Sequence, residues 1–280
     1  MSKRVLSSVF MSLLSVVGVS GGVMSKGNDP SVYFNDPHVV ELCKAAISGK
    51  INKIRKLVDD GVDVNARGKE GMTPLLFSLA GTDKKGLREL MENGADPNLK
   101  TDNLESYMRL AARAQDSEFL KMGLEHGGDP NLRGPQQRTL LFEAAMENNK
   151  EVEKQLQLLI EHGAEINALS DPRGINENAA MAAARINQYE PAIYLLRKGV
   201  DPYHENRWGY TIAYSLAENV IGYVPGKERY DARTKVAKFL VDQGMKVDLK
   251  RPYDAPDDWL EKSFEAIGEP VPDTLREQPE

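Results

Sequence analysis

A five-residue signature, Gly-x-Asp/Glu-x-Asn, returns at near-constant intervals and constrains this chain more than any other feature. It reads Gly61-Val62-Asp63-Val64-Asn65, Gly94-Ala95-Asp96-Pro97-Asn98, Gly127-Gly128-Asp129-Pro130-Asn131 and Gly163-Ala164-Glu165-Ile166-Asn167. Gly199-Val200-Asp201-Pro202-Tyr203 is a partly degraded fifth copy, and Gly244-Met245-Lys246-Val247-Asp248 a worn sixth. The glycines stand 33, 33, 36, 36 and 45 residues apart. Such a period means small supersecondary units in a row, each unable to bury its apolar face without a neighbour.

Twelve residues beyond four of these glycines stand Thr73, Ser106, Thr139 and Thr211. Their side-chain oxygens suit the start of a helix, where they meet an unpaired backbone N–H, and Pro74 suits the first helical position after Thr73. The pattern predicts short first helices over 74–80, 107–114, 140–147, 179–186 and 212–219. Each carries a small or apolar pair, such as Ala111-Ala112 or Ala183-Ala184, that lets neighbours approach closely. Second helices are predicted over 51–59, 87–92, 118–125, 152–161, 192–197 and 236–242, with apolar residues at three- and four-residue steps. Each stops just before a signature glycine, which can adopt the left-handed conformation that closes a helix.

Helix, turn, helix, Gly-x-Asp-x-Asn and a protruding hairpin-like loop together resemble the ankyrin repeat. Thr73-Pro74-Leu75-Leu76 is close to that family's Thr-Pro-Leu-His opening, with Leu76 in place of His, and Asn178 stands where another copy has its capping Thr. The resemblance covers about 38–250. It implies an all-α solenoid of about six repeats over 38–252, preceded by a linker at 25–37. Trp259, Leu260, Phe264 and Ile267 form an amphipathic segment expected to cap the last repeat within 253–280. The Pro- and Glu-rich stretch from Gly268 to Glu280 is expected to be disordered.

Insertions in a repeat stack map to surface loops. Thr139 to Gly163 is three residues longer than Thr73 to Gly94, which predicts an extended helix around Gln155 and Gln157. A second insertion enlarges the tip Ser170-Asp171-Pro172-Arg173-Gly174. The largest, centred on 220–231, is expected to leave the stack, either as a plain surface loop or as a contact lobe of Tyr223, Pro225, Lys227, Arg229 and Tyr230.

The N-terminus has the layout of a secretory signal peptide. Lys3 and Arg4 precede an apolar run from Val5 to Val19, and small residues follow to Gly22. Residues 1–24 are therefore expected to direct export to the periplasm and be removed. The formal net charge of −6 argues against nucleic acid as a partner. The lone cysteine, Cys43, excludes an internal disulfide and sits in an apolar helical run from Val39 to Ile47, where a buried thiol is expected.

No metal-ligand spacing, nucleophile elbow or phosphate-cradling loop is present in the sequence. His126 and His162 directly precede signature glycines at equivalent positions and are expected at helix C-termini. We therefore expect no enzyme, cofactor or metal site.

What remains is recognition through hairpin tips and exposed first-helix positions. Tip candidates are Arg67, Lys69, Glu70, Lys100, Asp102, Arg133, Gln136, Gln137, Asp171, Arg173, Glu205, Arg207 and Trp208. Candidates on the helix faces are Arg113, Glu143, Glu147, Arg185 and Glu218. Arg207-Trp208 is the sharpest pair, because Trp and Arg are frequent interface anchors; the alternative is that Trp208 packs against the adjoining loop. The tips lean basic, which suggests an acidic partner surface. The resemblance implies a protein partner. Small exported ankyrin proteins are similar to immunity proteins that neutralise a toxic secreted effector, such as a type VI phospholipase. The alternative is a periplasmic scaffold or stress-related adaptor.

Overall fold

The computed structural model describes residues 29–81, 84–170, 174–218, 222, 224–252 and 254–276. The expected leader at 1–24, the tip residues Asp171 and Arg173, and Tyr223 lie outside the described residues. Among those described there are no strands, and helices pair as the repeat pattern predicts. The chain divides into two compact bodies, residues 1–135 and 136–280.

In the N-terminal body three helix pairs succeed one another: α1 (Pro37–Ile47) with α2 (Ile51–Asp59), α3 (Pro74–Ser78) with α4 (Lys84–Glu92), and α5 (Tyr107–Ala112) with α6 (Glu118–Glu125). First helices stack on first and second on second, α1 against α3 and α2 against α4. Close approach is built in at Gly86 on α4, where an added Cβ would lie 1.9 Å from the Ala46 carbonyl oxygen on α1. The sequence period gave no hint of that role.

In the C-terminal body the pairs are α7 (Leu140–Ala145) with α8 (Val152–Glu161), α9 (Ala179–Arg185) with α10 (Tyr189–Arg197), and α11 (Ile212–Glu218) with α12 (Glu228–Asp242). Helix α9 is a run of small residues, Ala-Ala-Met-Ala-Ala-Ala, buried throughout and held between α7 and α11. Small side chains let three helices share that layer. Helix α13 (Trp259–Ala266) covers α12, burying Trp259 and Phe264, and the Tyr230 hydroxyl lies 2.8 Å from Ser263 Oγ.

Four first helices open, and the second helices close, on the predicted residues. Thr73, Ser106 and Thr139 each accept the backbone N–H three residues on, and Asn178 does the same for Met181. At the other end, the residue after every signature glycine donates to the carbonyl five positions back, at 2.8–3.2 Å. The glycines themselves have φ between 79° and 101°, the left-handed region that such a closure requires.

Three expectations are corrected. Pro30 to Phe34, assigned to a linker, are folded: Tyr33 and Phe34 are buried and meet the Phe77 ring edge-on. Tyr230, named for a contact lobe in the 220–231 insertion, is not available to one, because α12 starts at Glu228 and buries it. Gly268 to Arg276 is ordered through α14 (Asp273–Arg276), since Val271 and Leu275 find an apolar surface to bury against. The extended helix expected around Gln155 and Gln157 is present: α8 has ten residues against eight in α6, and the connection before it takes the third extra residue.

Candidate protein-binding surface

The signature residues build the platform from which the tips project. Asp63, Asp96, Asp129 and Asp201 each accept, through Oδ1, the backbone N–H two residues later at 2.8–2.9 Å. That turn aims the following side chain at the next repeat. Asn65 Nδ2 donates to the Gly94 carbonyl at 2.8 Å, and its Oδ1 accepts from the Asp96 N–H at 2.8 Å. Asn98 repeats both bonds with Gly127 and Asp129, and Asn167 with Gly199 and Asp201. In these three pairs one side-chain amide ties a repeat to its successor. His126 and His162 end α6 and α8, each with Nδ1 at 2.8 Å from the carbonyl four residues back.

Two residues before each capping position the backbone is left-handed: Gly71, Leu104, Gln137, Asn176 and Gly209 have φ of 55–77°. This inversion makes the hairpin tips protrude. Tips also bond to each other, Asp102 N–H to the Glu70 carbonyl and Arg207 N–H to the Ile175 carbonyl.

The basic tips are less available than the sequence suggests. Arg67 is exposed but its guanidinium donates to the Lys100 carbonyl at 2.7 Å. Arg185 pairs with the buried Glu177 at 3.0 Å. Arg113 and Arg133 are half-buried and engaged within the chain. Lys69 and Gln136 are exposed, and Lys100 is half-buried. Glu143, proposed for the helix face, is buried instead. Arg173 lies outside the described residues.

Aromatic surface stands out at the last hairpin. Trp208 is 56% exposed, so it does not pack away against the adjoining loop, and Tyr210 and Tyr214 are 41% exposed. Arg207 lies over the Trp208 ring at 5.7 Å, and the Tyr210 and Tyr214 rings stack 3.9 Å apart. The half-turn is organised by Asn206, whose Oδ1 accepts from the Trp208 and Tyr210 N–H groups. Glu218, one turn beyond Tyr214, raises the Tyr214 phenol above its usual range after the larger effect of desolvation, and lies 3.6 Å from Lys250. Tyr210 and Tyr214 escaped the sequence reading, although four-residue spacing from the last tip into α11 places them on one face.

Among the described residues, no three His, Cys, Asp or Glu side chains are grouped to hold a metal ion, and no helix is long and apolar enough to cross a membrane.

Comparison with known proteins identifies this architecture. Family models described as ankyrin repeats match residues 42–87 (many copies) and 108–206 (three copies), together just over half of the chain. The chain belongs to the ankyrin-repeat family, whose fold is typically a non-enzymatic scaffold for protein interaction. It is similar to the crystal structure of an ankyrin repeat domain from Acinetobacter baumannii AYE, with 22% identity and a TM-score of 0.60 over 73% of this chain and 97% of that one. The ankyrin repeat domain of Bcl-3 is similar with 20% identity and a TM-score of 0.60 over 81% and 97%. That of human ASB11 is similar with 20% identity and a TM-score of 0.56 over 85% and 98%. No curated protein matches the sequence.

Proposed function

We propose that this chain is an exported protein-binding module acting as an immunity protein, which covers and neutralises a toxic secreted effector in the periplasm. The observation that carries the binding role is the exposed aromatic surface of Trp208, Tyr210 and Tyr214 beside Arg207. Large rigid side chains left in water cost solubility, and Trp, Tyr and Arg are the types that most often anchor interfaces. The periplasmic location rests on the leader-like residues 1–24. The effector role, with a phospholipase as the candidate target, rests on the resemblance to small exported ankyrin immunity proteins. An inhibitor of this kind needs surface rather than chemistry, and an interface of about 1,600 Å² suffices.

Co-expression tests the proposal. The product of a neighbouring effector gene is directed to the periplasm of a host, with this chain supplied either intact or without residues 1–24. Survival only with the intact chain is the expected result. Killing that continues at full rate despite a well-expressed intact chain overturns the immunity role and leaves the scaffold reading.

A further inference from the structure

The asparagine ladder is open at its first rung. At Gly94, Gly127 and Gly199 the signature glycine offers its carbonyl and the acidic residue two positions on offers its N–H, and one carboxamide from the preceding repeat meets both. The first signature presents the same two groups, the Gly61 carbonyl and the Asp63 N–H. Neither has a hydrogen-bond partner among the described residues. Both residues are exposed and line a groove of about 550 Å³, walled by Tyr33, Phe34, His38 and Asp60.

We propose that this groove receives the primary carboxamide of an asparagine presented by a partner protein. A group that donates and accepts side by side can displace solvent from both at once, and the molecule itself meets that pair with a carboxamide three times over. A carboxylate, which only accepts, would set oxygen against the Gly61 carbonyl. An ammonium would serve the carbonyl and leave the N–H unmet. Two of the carboxylates beside the pair are already engaged: Asp36 Oδ1 accepts from the His38 N–H, and Asp63 Oδ1 from the Asn65 N–H, each at 2.8 Å. The groove lies in the N-terminal body and shares no residue with the aromatic surface, so it stands apart from the effector reading.

Nuclear magnetic resonance of the full 15N-labelled chain supplies the test. The probe is N-acetyl-L-asparagine methylamide, with the corresponding aspartate derivative as control. A two-bond contact to a small probe is weak, about millimolar or weaker, so the readout is chemical shift. The Asp63 amide is expected to move with the carboxamide probe while Asp96 and Asp129, already served by Asn65 and Asn98, stay still. Without probe, the Asp63 amide should exchange with solvent about tenfold or more faster than those two. An unmoved Asp63 amide overturns the proposal, as does an equal shift with the aspartate probe. Native protection of Asp63 equal to that of Asp96 also overturns it, because the chain's own upstream residues would then close the rung.

Discussion

The Tyr203 hydroxyl donates to the Gln243 carbonyl, a bond spanning 40 residues of sequence. Tyr203 occupies the place of the ladder asparagine in the fifth signature, and Gln243 directly precedes the sixth signature glycine. The copy that looks degraded in sequence therefore keeps its link to the next repeat, through a longer side chain that reaches a neighbouring carbonyl.

These links bear load in proportion to their bonds. Tyr203→Phe removes one hydrogen bond, and we expect a loss of about 1 kcal/mol. Asn98→Ala removes two and leaves the Gly127 carbonyl and Asp129 N–H to water, for a loss of about 1–2 kcal/mol. Urea unfolding midpoints read both. Equal midpoints for wild type and Asn98→Ala would remove the ladder from the account.

Leu104 works against the fold. It is 43% exposed with φ of 62°, at the tip position that Gly71 and Gly209 occupy in other repeats. A left-handed conformation costs a non-glycine residue about 1–2 kcal/mol, offset in part by the extra freedom of glycine when unfolded. Leu104→Gly is therefore expected to leave stability unchanged or raise it by up to about 1 kcal/mol, measured by thermal unfolding. A drop of about 1 kcal/mol would mean that the Leu104 side chain makes stabilising contacts.

Helices α2 and α4 are bridged by Arg55, whose Nε and Nη2 donate to the buried carboxylate of Glu89 at 2.6 and 2.9 Å. The Arg55 hydrogen bond is the main cause holding the Glu89 pKa below its ordinary value. A depressed carboxyl contributes stability at neutral pH and loses it as pH falls through the folded-state value. Glu89→Gln should therefore be less stable than wild type at neutral pH, with the gap closing in acid. A gap constant with pH would assign the loss to packing.

Burial pushes the Cys43 thiol up to about 12. A thiol-disulfide reagent at about pH 8 should leave it unmodified in the native protein and titrate one thiol in denaturant. Rapid native labelling would show that the α1 face opens readily.

Repeat number, capping residues and helix order were legible because the same backbone problem is solved at every copy: a polar cap opens a helix and a glycine closes it. The 220–231 insertion was harder to read for the opposite reason, since an insertion breaks the period without saying which element absorbs it, and here α12 takes in Tyr230. The tip arginines were readable as residues but not as partners. Arg67 donates to Lys100 of the next repeat, and Arg185 to Glu177 at the start of its own helix. Tyr214 was hidden because an aromatic residue in a short helix reads as core until its exposure is known.

The surface around Trp208 is the centre of the functional account, and binding to the co-purified effector tests it most directly. Calorimetry would compare wild type with a Trp208→Ala/Tyr214→Ala variant whose unfolding midpoint is unchanged. Each anchor of this kind contributes about 2 kcal/mol or more, so affinity should fall at least about a hundredfold. Undiminished affinity in a folded double variant would contradict the account.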